Sequence, residues 1–121
     1  MSANPNKRRW LRRLRIEGAS MVPTLLPGDR VVAVRSRVRV GDVVALRDPR
    51  DQRRVMVKRI TCLTADGRAE VAGDNADAST DSRHFGPVDP SLVLGRVVYR
   101  YAPADRVGRI SRGGGGAPPR H

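Results

Sequence analysis

Cysteine, aromatic residues, lysine and long apolar runs are all scarce or missing in this chain of 121 residues. The single cysteine, Cys62, excludes an internal disulfide and a CxxC metal cluster, so a reducing compartment suits the chain and Cys62 itself is expected in the core. No stretch reaches the roughly 20 apolar residues that span a bilayer, and no apolar signal-peptide core of about 7 to 15 residues follows the basic N-terminus. The expected location is therefore cytoplasmic. Aromatic residues make up only 3% of the sequence, which leaves Val, Leu, Ile and Ala to build the core. Val dominates several short runs, which favours strands over helices. The length allows one domain with a single modest core.

Acidic residues are missing from both ends. Residues 1–15 carry six basic residues and residues 106–121 another four, so most of the formal charge of +12 sits outside the middle of the chain. Between residues 16 and 105, 14 basic residues face all 12 acidic ones. A fold so nearly balanced is a poor nucleic-acid module, although Trp10 among arginines could stack on a base.

The polar segment at residues 1–9 and the Pro, Arg and Gly mixture at 102–121 both have the composition of disorder. Between them, six strand candidates alternate with turn signals: Leu14–Glu17, Arg30–Arg35, Asp42–Arg47, Val55–Leu63, Ala69–Ala72 and Leu92–Tyr101. The turns are Pro27-Gly28-Asp29, Val40-Gly41-Asp42, Asp48-Pro49, Ala65-Asp66-Gly67 and Gly73-Asp74-Asn75. Ser20–Leu26 suits a single helical turn. The expected fold is mainly β, a small antiparallel sheet or barrel. The expected division is a basic disordered arm at 1–12, one folded domain at 13–101 and a disordered tail at 102–121.

All but two of the 24 basic residues are arginine; the exceptions are Lys7 and Lys58. Lys58 lies inside the apolar run Val55-Met56-Val57-Lys58-Arg59-Ile60. A guanidinium keeps its proton in a protein, whereas desolvation can drive an ammonium of ordinary pKa about 10.4 down by several units. Lys58 can thus serve as a base, or it can be a strand lysine whose amine reaches solvent. Ser20 follows Gly18-Ala19 and precedes Met21-Val22-Pro23-Thr24-Leu25, a setting for a nucleophile with small neighbours or for an ordinary turn serine. The segment from Gly73 to Val88 is dense in hydroxyls and carboxylates, as a functional loop or a solvated connector would be.

Taken together and in order, Ser20-Met21-Val22-Pro23-Thr24-Leu25, Gly41-Asp42-Val43-Val44, Val57-Lys58-Arg59-Ile60 and Gly73-Asp74-Asn75 with Ser79, Asp81-Ser82-Arg83 and Gly86-Pro87-Val88 resemble the type I signal peptidases. The resemblance covers about Glu17 to Val98 and implies the signal peptidase I type of catalytic domain. It implies a serine endopeptidase in which Ser20 attacks the scissile carbonyl and Lys58 is the general base. It makes Ser79 the residue that holds the lysine in line, and Asp81 with Arg83 and Arg59 an ion-pair network that fixes the loop. The Ser20 backbone N–H becomes an oxyanion donor, since Gly18 stands where some members place a second serine. The substrate would lie as an extended strand beside Arg15–Gly18 and the Lys58 strand, with Gly18, Met21, Val22 and Pro23 in its binding site.

The membrane anchor and inserted second β domain of secretory members do not fit this sequence. The short form is similar to the maturation peptidases of nickel-type superoxide dismutase, which implies a precursor of that enzyme as partner and removal of its N-terminal extension. A signal peptidase working at a membrane through the basic, apolar-studded Arg8–Leu14 stretch is the less favoured alternative. No cofactor or metal is expected, because His84, His121 and Cys62 have no ligand spacing. Neither histidine suits a serine triad.

Overall fold

The structure, a computed structural model, describes residues 10–78 and 85–113. Seven strands form one antiparallel sheet: β1 Leu11–Arg15, β2 Arg30–Val34, β3 Val43–Asp48, β4 Asp51–Leu63, β5 Ala69–Ala72, β6 Val93–Ala102 and β7 Gly108–Arg109. Their spatial order is β1-β2-β6-β3-β4-β5, with β7 added on β6.

The interior strand β3 explains the layering. Its residues Val43 and Ala45 enter one apolar cluster with Ile16, Met21, Leu25, Val31, Ala33 and Val97. Val44 and Leu46 enter the other with Met56, Ile60, Ala69, Val71 and Val88. A strand with a partner on each side and apolar matter on both faces reads as the continuous Val-Val-Ala-Leu run seen here, because alternation would expose nothing useful.

The mainly β expectation holds, with three differences. β1 starts three residues before its candidate, at Leu11, inside the stretch expected to be a disordered arm, and is fixed by antiparallel pairing of Leu11 with Val34. Residues 102–113, expected in the tail, contain the turn Ala104–Arg106 and β7, and Ile110 packs on the first cluster. Cys62 is exposed, not in the core. The β4–β5 register slips between Ile60 and Cys62, so the alternation that buries Ile60 does not carry on to Cys62.

The Ser20 segment forms the expected single turn between β1 and β2, closed by the Leu25 N–H donating to the Met21 carbonyl at 2.9 Å. Behind it, Asp29, 2% exposed, accepts from the Leu26 N–H at 2.8 Å and pairs with Arg100 and Arg106. The loop is therefore tied to β6 and to the C-terminal segment.

Candidate active site

Two strand edges face each other across a cleft of about 390 Å³. One wall is Leu14 to Met21, the end of β1 and the segment after it; the other is Arg54 to Lys58 of β4, with Arg50 of the preceding turn. Among the described residues β1 pairs only with β2. β4 pairs with β3 along Asp51–Arg59 and with β5 only from Arg59 onward, so among the described residues no strand pairs with its other edge from Asp51 to Val57.

Ser20 and Lys58 lie on opposite walls of this cleft. Lys58 is 4% exposed, opposite Val44 in the β3–β4 register and on the same face of the strand as Met56 and Ile60. Gly18 also lines the cleft with a left-handed φ of 73°, and no atom stands within 4 Å of where a Cβ would lie. Glycine is required there by backbone angle, not by space. Met21 borders the cleft but belongs to the core, whereas Val22 and Pro23 lie outside the lining residues.

The segment after β5 holds both walls in register. Asn75 donates its N–H to the Ser20 carbonyl at 2.8 Å and its Nδ2 to the Ala19 carbonyl at 3.1 Å. Asp74 takes a two-pronged ion pair from Arg59, Nε to Oδ1 at 2.9 Å and Nη2 to Oδ2 at 2.8 Å, and accepts a hydrogen bond from the Thr24 hydroxyl. Arg59 also donates Nη1 to the Gly41 carbonyl at 2.7 Å.

Arg59 is ion-paired, and its partner among the described residues is Asp74. Ser79, Asp81 and Arg83 lie outside the described residues, as do His84 and His121. The roles of Asp74, Asn75 and Thr24 were not legible as roles, because Gly73-Asp74-Asn75 reads first as a turn. Only the return of β5 beside β4, which sets Ala72 opposite Arg59, brings Asp74 to the guanidinium. Among the described residues no group of three or more His, Cys, Asp or Glu is placed to hold a metal ion.

At the mouth of the cleft, Asp48 is 1% exposed and accepts from Arg50 at 2.8 and 3.0 Å. The Arg50 guanidinium holds the Asp48 carboxyl below the ordinary carboxylate range, against burial that pushes it up.

The chain is a mainly β domain with a serine and a buried lysine across one strand-lined cleft, and its sequence places it among the serine peptidases. Residues 8–67 and 65–102 match the family described as Signal peptidase, peptidase S26, and the chain belongs to that family and is a serine peptidase. It is 37% identical to the mitochondrial ATP-independent inner membrane protease subunit 1a of Arabidopsis thaliana, over 78% of this chain and 73% of that protein. It is 32% identical to the mitochondrial inner membrane protease subunit 2 of Schizosaccharomyces pombe, over 82% and 69% respectively. Identity to the human mitochondrial inner membrane protease subunit 1 is 30%, over 75% and 69%.

These relatives overturn the cytoplasmic placement, since they point to a membrane. That placement rested on the lack of a spanning segment. Among the described residues no helix is long and apolar enough to cross a membrane, yet a protein can also be held at a bilayer by its surface.

Proposed function

We propose that Ser20 is the nucleophile and Lys58, as a neutral amine, the general base of an endopeptidase that removes an N-terminal extension from a precursor protein. The observation that carries this is the placing of Ser20 across the cleft from a lysine only 4% exposed. Burial disfavours an ammonium, and a neutral amine can accept the serine proton and return it to the leaving amine. Arginine cannot fill that role.

The edges of β1 and β4 that no strand among the described residues covers suit a substrate strand between them, with main-chain hydrogen bonds supplying affinity. Gly18, with no side chain, leaves its wall open to close backbone approach. The Ser20 N–H, at the start of its helical turn, is the proposed oxyanion donor. Ser79 is proposed to orient the lysine, and Asp81 with Arg83 to fix the following loop.

Ser20→Ala and Lys58→Arg are each expected to lower precursor cleavage at least about 10²-fold while leaving circular dichroism unchanged. The wild-type rate should rise with pH as the amine loses its proton. Retained cleavage by Lys58→Arg, which keeps the charge but not a labile proton, would overturn the mechanism. The narrower substrate, a nickel-type superoxide dismutase precursor, rests on the sequence resemblance, and none of the relatives above bears that name. Co-expression followed by mass measurement of the precursor's N-terminus tests it; an intact precursor rejects it.

For the setting, we propose an anionic membrane surface. β1, β2, β6 and β7 carry seven arginines and no acidic residue. Arg13, Arg15, Arg30 and Arg109 are exposed beside Trp10, Leu11 and Tyr99, which are 66%, 53% and 39% exposed. Basic groups around exposed apolar ones suit anionic lipid. Flotation with phosphatidylserine-containing vesicles should carry the protein up at low salt, and flotation no better than with neutral vesicles would reject the placement.

A further inference from the structure

We propose that the cleft selects precursors with an acidic side chain about four residues from the cleaved bond, and that Arg54 reads it. The inference rests on the Ser20/Lys58 assignment and deepens it by naming a substrate class.

Among the described residues the cleft lining contains three arginines, Arg15, Arg50 and Arg54, against one carboxylate, Glu17. Arg15 and Glu17 stand two residues apart on the same wall and offset each other. On the opposite wall the two guanidinia share a single buried counter-ion, Asp48. Arg50 is committed to it, with two side-chain hydrogen bonds at 2.8 and 3.0 Å, and its guanidinium lies 5.2 Å from the Phe85 ring centre. Arg54 is not. Its Nη1 stands 3.7 Å from Asp48 and its side chain is 66% exposed. Among the described residues Asp48 is matched by Arg50 and the nearby Asp51 by Arg53, which leaves the charge of Arg54 without a full partner on this wall, on a side chain exposed enough to turn toward a ligand.

Arg54 and Lys58 are four residues apart on β4 and both line the cleft, and four residues of extended strand span about 13 Å. A substrate strand laid along the unpaired edge of β4 has the same period. With its scissile carbonyl at Lys58, its side chain four residues away falls beside Arg54, within reach as a cross-strand neighbour. A carboxylate there meets the uncompensated charge, and a lysine is repelled.

The test is a precursor whose cut has been mapped by mass spectrometry, made with Asp, Gln or Lys four positions to either side of that cut. For each, kcat/KM is measured with the wild-type enzyme and with Arg54→Glu. At low salt the wild type should prefer Asp to Lys by about tenfold at one of the two positions, attraction and repulsion each contributing the few-fold effect of an exposed pair. Arg54→Glu should invert the order, and the preference should shrink toward 1 M salt, where screening acts within about 3 Å. The ratio is read within each enzyme, so any loss of folded protein cancels. Equal cleavage of the three substrates by the wild type, or a preference unchanged in Arg54→Glu, overturns the proposal. If such equal cleavage is abolished by Ser20→Ala, the dyad stands and only the Arg54 inference falls; cleavage that survives Ser20→Ala would sink both.

Discussion

Asp74 accepts hydrogen bonds from Arg59 and Thr24 at once, and both are close to the proposed dyad along the chain: Arg59 follows Lys58, and Thr24 lies one turn beyond Ser20. Its carboxylate therefore links the two walls of the cleft. The side chains of Arg59 and Asp74 are 6% and 4% exposed, and their fork geometry is the strong form of such a pair. Removing one partner strands a buried charge, so Asp74→Ala should lower the unfolding free energy by about 3–5 kcal/mol in urea titrations. Replacing both, as Arg59→Met with Asp74→Leu, should restore much of that stability but not the cleavage rate, because the link to Thr24 stays broken. A loss below about 1 kcal/mol in Asp74→Ala would show that the pair is not the strut described. The sequence marked Arg59 as an ion-pairing residue but did not mark Asp74 as a partner for it. A partner 15 residues away is chosen by how a hairpin returns, which no local pattern records.

At the scale of elements, the strands were legible wherever Val-rich runs met Gly, Pro or Asp at their ends. β2, β3, β5 and β6 lie within a residue or so of their candidates. The errors fall where something other than apolar periodicity sets the boundary. β1 is an edge strand of Leu and Arg whose extent is decided by pairing with β2, so its apolar pattern understates it. β4 begins at Asp51, four residues before its apolar run, because the hairpin with β3 closes with Asp48 opposite Asp51, a register irregularity taking up residues 52–54. That polar half of β4 supplies Arg54 of the cleft, and it is the half that hydrophobic patterning passes over. Cys62 was misplaced for the converse reason: an apolar side chain in an apolar run was followed through a register slip that ends the alternation.

For the molecule as a whole, the segment after β6 decides how far the folded unit extends. The family match ends at residue 102, yet residues 103–113 run back over the structure as a strap. Arg106 pairs with buried Asp29 and its carbonyl accepts from Arg100; the Ile110 N–H donates to the Val98 carbonyl at 3.0 Å. Further on, Arg112 donates to Asp42 at 2.6 Å and the Gly113 N–H to the Gly41 carbonyl at 2.9 Å. Gly41 has a left-handed φ of 97°, and a Cβ there would lie 2.9 Å from Arg112 and 3.1 Å from Gly113, so this crossing needs glycine on both counts. Each hydrogen bond contributes about 1 kcal/mol, and Asp29 loses one of its two guanidinia without the strap. In a domain of this size each kcal/mol moves Tm by about 4–8 °C, so deleting residues 103–121 should lower Tm by at least about 10 °C. Cleavage should fall with it, because Asp29 anchors the far end of the Ser20 loop through the Leu26 N–H. Deleting only residues 114–121 removes none of these contacts and is the control. A Tm unchanged by the longer deletion would mark the strap as dispensable; a fall confined to it would place residues 103–113 inside the catalytic unit.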